Sequence, residues 1–121
     1  MAQQGHIDPA LLSASTNGRP IKVVATSSPG TTIHTAPAGT TTTDRVWIYA
    51  TNTDTVDRTV TLQWGGTTAP DDSLGPITLR ANGGPTLIAE NFPITNGLVI
   101  KAFASAANVV TIVGRVSTVT L

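Results

Sequence analysis

The chain has 121 residues, of which 40% are hydrophobic, and its seven basic residues balance its seven acidic ones. A chain of this length forms a single core, and its sparse, balanced charge argues against an electrostatic nucleic-acid binder, which carries a basic face. The absence of cysteine excludes disulfides, thiol catalysis and cysteine-ligated metal sites.

Threonine is the strongest compositional bias, with 22 residues. Because threonine is β-branched, it favours pleated strands over helices, and the bias predicts an all-β protein with a polar, weakly charged surface. No run approaches the roughly 18–20 apolar residues of a membrane span. The first fifteen residues lack the basic start and apolar centre of a signal peptide. We therefore expect a protein made in a cytoplasm, with no membrane and no nucleic-acid partner.

Residues 1–20 differ from the remainder and are predicted to form an extended N-terminal arm. Asp8 and Pro9 favour a short helical turn at its centre. Ile7, Leu11 and Leu12 would be unfavourable on a free tail, so we interpret them as an apolar anchor that binds a neighbouring subunit. The alternative is a frayed terminus.

Residues 21–121 are predicted to form one β-sandwich domain. Eight or nine short segments, separated by Gly, Pro and Asn at roughly ten-residue spacing, are typical of a sandwich or barrel. The sequence thus predicts an antiparallel β-sandwich, either jelly-roll or immunoglobulin-like. The segments are Ile21–Thr26, Thr31–Thr35, Arg45–Thr51, Thr59–Trp64, Leu74–Leu79, Thr86–Ala89, Glu90–Ile94, Leu98–Ser105 and Val109–Leu121.

Within this domain, Arg45–Gly66 is interpreted as a central hairpin. Hydrophobic and polar residues alternate along both of its strands, and a polar turn lies between them. Since it holds both tryptophans and the single tyrosine, we expect it to nucleate the core. In the later strands, Pro76 indicates a strand that either lies at an edge or begins after the proline, and Gly114 indicates a bulge.

The titratable residues suggest no catalytic, cofactor-binding or metal site. His6 and His34 lack metal-ligand spacing and are interpreted as structural. Asp71-Asp72 is weakly suggestive of calcium, but no EF-hand pattern surrounds it, so we interpret it as a solvated turn. A hydrolase would need converging carboxylates such as Asp44 and Asp72, and the sequence offers no support for such a pair. We expect no enzyme activity and no cofactor.

The aromatic residues Trp47, Tyr49 and Trp64 allow two interpretations. Exposed together, they would form a platform for sugars, as in carbohydrate-binding sandwiches. Their mid-strand positions among apolar neighbours favour the core or a subunit interface instead.

Four phrases of the sequence form a distinctive set. They are GRPIKVVATSSPGTTIHTA (Gly18–Ala36), RVWIYATNT (Arg45–Thr53), LQWGGTTAPDD (Leu62–Asp72) and NGLVIKAFASAANVVTIVGRV (Asn96–Val116). The most specific parts are the run WGGTTAPDD and an ending of the form NGL followed by AxAAN. Together these phrases resemble a family of small virion proteins of tailed bacteriophages.

This resemblance implies a structural β-sandwich on the phage particle, made in the bacterial host and located in the virion. The expected role is capsid decoration: a cement protein that binds the major capsid protein on the outside of the head. Self-association, for example as a trimer, would multiply such contacts. The alternatives are another virion position, such as a spike base, head–tail joint or tail tip, and a glycan-binding module.

Overall fold

The computed structural model describes residues 6–120, with side chains from Ala10 onward, and these residues form no helix. They form nine strands, including two of eleven residues. The strands are β1 (His6–Ala10), β2 (Ile21–Lys22), β3 (Thr31–Thr35), β4 (Thr42–Asn52), β5 (Arg58–Trp64), β6 (Ser73–Leu79), β7 (Thr86–Ile94), β8 (Val99–Ala104) and β9 (Val110–Thr120).

The strands make an antiparallel β-sandwich of two sheets. The five-stranded sheet has the order β1-β9-β4-β7, with β2 also paired to β9, and the four-stranded sheet has the order β3-β8-β5-β6. The pairing is nested: β2 with β9, β3 with β8, β4 with β7 and β5 with β6. The chain thus folds back on itself around the β5–β6 connection. This nesting is the jelly-roll arrangement, and of the two predicted sandwiches it excludes the immunoglobulin order.

The core between the sheets is almost entirely aliphatic. Alternation along β4 places Val46, Ile48 and Ala50 inside with no exposed surface, as the sequence predicts. Val60 and Leu62 of β5 face them from the opposite sheet. Neither tryptophan is among the fully buried side chains. Trp64 is partly buried and packs against this core, so the aromatic residues contribute to it at most from its margin.

The central hairpin does not form. β4 pairs with β7 and β9, whereas β5 pairs with β6 and β8 in the other sheet. The polar segment between them is a crossover from one sheet to the other. Alternation in the sequence identifies a half-buried strand but not the strand that pairs with it. It therefore predicts β4 and β5 as strands but does not show that they lie in different sheets.

Gly114 lies in a continuous stretch of the β4–β9 ladder and not in a bulge. It is opposite Ile48, and the register runs unbroken from Thr42–Thr120 to Asn52–Val110. A β-carbon at Gly114 would collide with the carbonyl oxygen of Trp47. The glycine therefore allows two backbones to approach closely.

The N-terminal segment is part of the sandwich where the structure describes it, which corrects the prediction of a separate arm over residues 1–20. Residues 6–10 are a strand paired with β9, not a helical turn, and Leu12 is 2% exposed within the core of its own chain. Pro9 is tolerated because β1 is an edge strand with a register shift between Ile7 and Ala10. Burial of Leu12 in this domain removes the need for a neighbour to cover it.

One local prediction is confirmed, and a later turn has the backbone geometry that its residues favour. The strand that contains Pro76 is an edge strand, since β6 pairs with β5 alone. Asn96 and Gly97 have φ values of 62° and 69°, the left-handed conformation that their turn requires.

Candidate functional site

A buried polar cluster links the N-terminal segment to both sheets. His34 of β3 lies 2.6 Å from Asp44 of β4 through Nε2 and Oδ2, and both residues are buried. Thr118 of β9 donates to Asp44 Oδ1 at 2.6 Å, and the Ser13 amide donates to His34 Nδ1 at 2.9 Å. Because Nδ1 accepts that hydrogen, the ring hydrogen lies on Nε2 and is donated to the carboxylate. We call these four residues the His34 cluster.

The His34 cluster contains serine, histidine and aspartate, yet its geometry is not that of a nucleophilic triad. In a triad the serine hydroxyl donates to the histidine. Here the backbone amide of Ser13 occupies Nδ1, and the Ser13 hydroxyl accepts the Thr35 amide at 2.7 Å. Every polar atom of the buried pair has a partner inside the fold. The cluster therefore stabilises the fold and is not built for proton transfer to a substrate.

The sequence missed this cluster for a local reason. A register shift in β3 between Thr32 and His34 places Ile33 and His34 together in the interior, where simple alternation predicts that only Ile33 points inward. Asp44 lies two residues before Val46 in β4 and therefore points to the same buried face. This alternation is the sequence signal that could have predicted a buried Asp44. The structure brings Asp44 to His34 and not to Asp72, so the hypothetical hydrolase pair is not formed.

Trp47 and Tyr49 lie on the outer face of the five-stranded sheet. Tyr49 is opposite Leu87 on β7 and Val113 on β9, so three apolar side chains lie in a row across three strands. Beside them, the guanidinium carbon of Arg115 lies 3.8 Å from the centroid of the Trp47 ring. We call these five residues the outer-face patch.

Trp64 lies elsewhere, at the edge where β7 meets the four-stranded sheet. Its indole Nε1–H donates to the Pro93 carbonyl at 3.0 Å, and its ring packs edge-to-face with Phe92 at 5.7 Å and 77°. These contacts hold the two sheets together at this edge. Trp47, Tyr49 and Trp64 therefore do not form the single sugar-binding platform that was one of their two interpretations.

A hollow of about 340 Å³ opens beside the Trp64 ring. We call the residues that line it the Trp64 corner: Trp64, Asp71, Asp72, Leu74, Phe92 and Pro93.

The two carboxylates of the corner differ in role. Asp72 accepts the Thr68 amide at 3.0 Å and packs against Gly66, where a β-carbon would meet the carboxylate. Asp72 therefore holds the loop after β5. Asp71 is exposed and makes no hydrogen bond or ion pair within the described residues. The expectation of a solvated turn fits Asp71, whereas Asp72 is structural.

A second cavity, of about 430 Å³, lies on the outer face of the four-stranded sheet. Its lining is neutral and rich in hydroxyl groups, so it offers no general acid or base. The lining residues are Thr26, Thr59, Thr61, Ala69, Pro70, Ser73, Gly75, Pro76, Phe103, Ala104 and Ser105.

A partly buried ion pair between Arg58 and Asp54 lies at the β4–β5 crossover, with Arg58 Nη2 at 2.8 Å from Asp54 Oδ2. The side-chain hydrogen bond from Arg58, followed by that from the Thr55 amide, lowers the pKa of Asp54 below its usual value. This pair shapes the crossover. Across the residues that the structure describes, no three His, Asp or Glu side chains are grouped to hold a metal ion.

The predicted partner-binding residues have separate positions. Leu12 is in the core, Leu11 is 55% exposed, and the side chain of Ile7 lies outside the described residues. Among these three, Leu11 is the one whose described side chain is available to a partner.

No protein-family model, curated protein or solved structure matches this chain. In residues 6–120, no helix has the length and apolar character needed to cross a membrane.

Proposed function

We propose that this chain is a structural virion protein of a tailed bacteriophage, and specifically a capsid decoration protein that binds the outside of the head. Such a protein stabilises the shell because it binds the assembled lattice in preference to free subunits. The resemblance of the sequence to phage virion proteins motivates the proposal. The jelly roll is compatible with it, since capsid proteins use this fold, although lectins and cupins use it too.

The observation that carries the proposal is the outer-face patch. Tyr49 and Leu87 are adjacent and are 38% and 39% exposed, and Val113 extends the row on the next strand. Trp47 and Arg115 lie alongside. Aromatic residues and arginine are enriched in the centres of protein interfaces, where few residues supply most of the binding energy.

The polar groups support the same function. The histidine of the His34 cluster has both ring nitrogens engaged, and the neutral cavity has no titratable lining. We therefore assign protein binding to the outer surface of the chain and a stabilising role to the buried His34 cluster. We propose the major capsid protein and further copies of this chain as the partners, with a trimer at local threefold positions of the head.

The test is the number of copies of this chain per major capsid subunit in purified particles, determined by quantitative mass spectrometry. A capsid decoration protein gives a ratio near one or a simple fraction fixed by local symmetry. A handful of copies would place the protein at a vertex, spike or tail. Absence from particles would overturn the virion function.

A matched pair of variants tests the outer-face patch. Tyr49→Asp places a charge in the patch, whereas Val56→Asp places one at an exposed position on the β4–β5 crossover. We expect Tyr49→Asp to lower incorporation into particles at least tenfold and Val56→Asp to leave it unchanged. Equal incorporation of both would contradict the role of the patch.

A further inference from the structure

We propose that the Trp64 corner binds the guanidinium group of an arginine side chain presented by a partner subunit. The inference deepens the proposed structural function and rests on it for the nature of the partner, a virion subunit. The corner combines aromatic rings, an unpartnered carboxylate and a hollow of about 340 Å³.

The side chains of the corner offer hydrogen-bond acceptors and no free donor. The indole Nε1–H of Trp64, the one side-chain donor, is taken by the Pro93 carbonyl. Asp72 keeps its second carboxylate oxygen beyond the one that accepts the Thr68 amide, and Asp71 has both oxygens free. A ligand that complements this lining carries donors and positive charge.

The aromatic residues favour a planar cation. Phe92 stands at 77° to the Trp64 ring, and the hydrogen bond to Pro93 fixes the orientation of the indole. A guanidinium group is flat and delocalised, so it stacks on an aromatic ring and can also make a bidentate contact with a carboxylate. A lysine ammonium is strongly hydrated and lacks the planar fork.

The same chain already contains one stack of this kind. Arg115 lies over Trp47 at 3.8 Å on the outer face of the five-stranded sheet. At Trp64 the corner has carboxylates beside the ring, but its lining includes no lysine or arginine. Arg45, which is opposite Pro93 in the β4–β7 pair, lines a different hollow on the outer face. An arginine for the Trp64 corner must therefore come from another molecule.

A metal ion fits the corner less well. Calcium takes six to eight oxygen ligands, whereas this lining supplies two carboxylates among tryptophan, phenylalanine, leucine and proline. One of those carboxylates already holds the loop through the Thr68 amide. The apolar share of the lining is suited to the stem and flat face of an arginine side chain.

The test is an NMR titration of the protein labelled with ¹⁵N at its two tryptophan indoles, with Nα-acetyl-arginine methylamide as the probe. Trp64→Phe and Trp47→Phe variants assign the two signals. We expect a saturable shift of the Trp64 signal in the millimolar range. The Trp47 signal is the internal control and should stay in place, because Arg115 already covers that ring.

The specificity controls are Nα-acetyl-lysine methylamide and methyl α-glucoside, with Asp71→Asn as the matched variant. We expect the lysine derivative to bind at least threefold more weakly, the glucoside to leave the spectrum unchanged, and Asp71→Asn to weaken arginine binding at least threefold. Equal binding of lysine, binding of the glucoside, or no response to arginine would each overturn the inference. None of these results would bear on the copy number in particles, so the proposed function is tested separately.

Discussion

The His34 cluster and the Trp64 corner both contain aspartate carboxylates, and they differ in whether the chain supplies the partners of those carboxylates. In the cluster, both oxygens of Asp44 accept hydrogen bonds, from His34 and Thr118, inside the sandwich. In the corner, Asp71 is exposed and without a partner beside Trp64. Burial of a charge without partners is costly, so the first arrangement must be complete, whereas an exposed carboxylate can await a ligand. A complete buried cluster therefore contributes to stability, whereas the exposed carboxylate of Asp71 is solvated in the free protein and is accessible to a ligand.

The largest expected effect comes from Asp44→Ala. The substitution leaves the Nε2–H of His34 and the Thr118 hydroxyl without an acceptor in the interior. Since each unsatisfied buried donor costs about 1–3 kcal/mol, we expect the free energy of unfolding to fall by about 2–6 kcal/mol, measured by urea denaturation.

Asp71→Ala is the control for that experiment, and we expect a change within about 0.5 kcal/mol because the side chain is exposed and unpaired. Equal losses from the two variants would contradict the distinction between the clusters. If Asp44→Ala does not fold, the isosteric Asp44→Asn should fold with a smaller loss and keep the same ranking.

Leu12→Ala tests whether the segment that carries Ser13 into the His34 cluster belongs to the domain. Since Leu12 is 2% exposed, truncation should cost about 2–5 kcal/mol of unfolding free energy in the same denaturation assay. The matched control is Leu11→Ala, which removes a side chain that is 55% exposed and should cost less than about 0.5 kcal/mol. Indistinguishable stabilities would return this segment to the role of a separate arm.

The fold class could be predicted from the sequence, but the pairing of strands could not. The alternation around Val46 and Ile48 is local and shows which face is buried. The β4–β9 and β5–β8 pairs join residues far apart in the chain, and nothing local specifies them. This is why two adjacent strands in the sequence were interpreted as a hairpin although they lie in different sheets.

The candidate site was predictable only in part. The sequence shows Trp64 and Asp71-Asp72 as separate features, because their proximity depends on how the loop after β5 folds and on the approach of Phe92 from β7. The prediction that Leu12 binds a neighbouring subunit is not met, because the core of its own chain buries this side chain, which the sequence could not show. Apolar residues near a terminus require burial, whether in their own domain or in a neighbour.

Thr118→Val removes one hydrogen bond from the His34 cluster and keeps the size of the side chain. Asp44 then loses a partner at Oδ1, and we expect a loss of about 1–3 kcal/mol in thermal or urea unfolding. Thr118→Ser keeps the hydroxyl and serves as the control. A valine variant as stable as the serine variant would show that the cluster tolerates an incomplete set of partners.

Asp71→Asn is expected to have the smallest effect on stability, with a change within about 0.5 kcal/mol. Its effect should appear in binding instead, since loss of one charge-assisted contact of about 1.4 kcal/mol weakens affinity tenfold. Circular dichroism and urea unfolding check the first expectation. A clearly destabilised Asp71→Asn variant would show that Asp71 has a structural role. The carboxylates of the Trp64 corner would then have their partners within the chain, as Asp44 does in the His34 cluster.

The most direct measurement adds purified protein to phage heads made without it and counts the copies bound per head, for the wild type and Asp71→Asn side by side. We predict that the wild type binds at a simple fraction of the capsid subunits and that the equally folded variant binds about tenfold more weakly. Failure of the wild type to bind would contradict the structural virion function. Equal binding of both proteins would leave that function standing and contradict the assignment of the Trp64 corner as the contact.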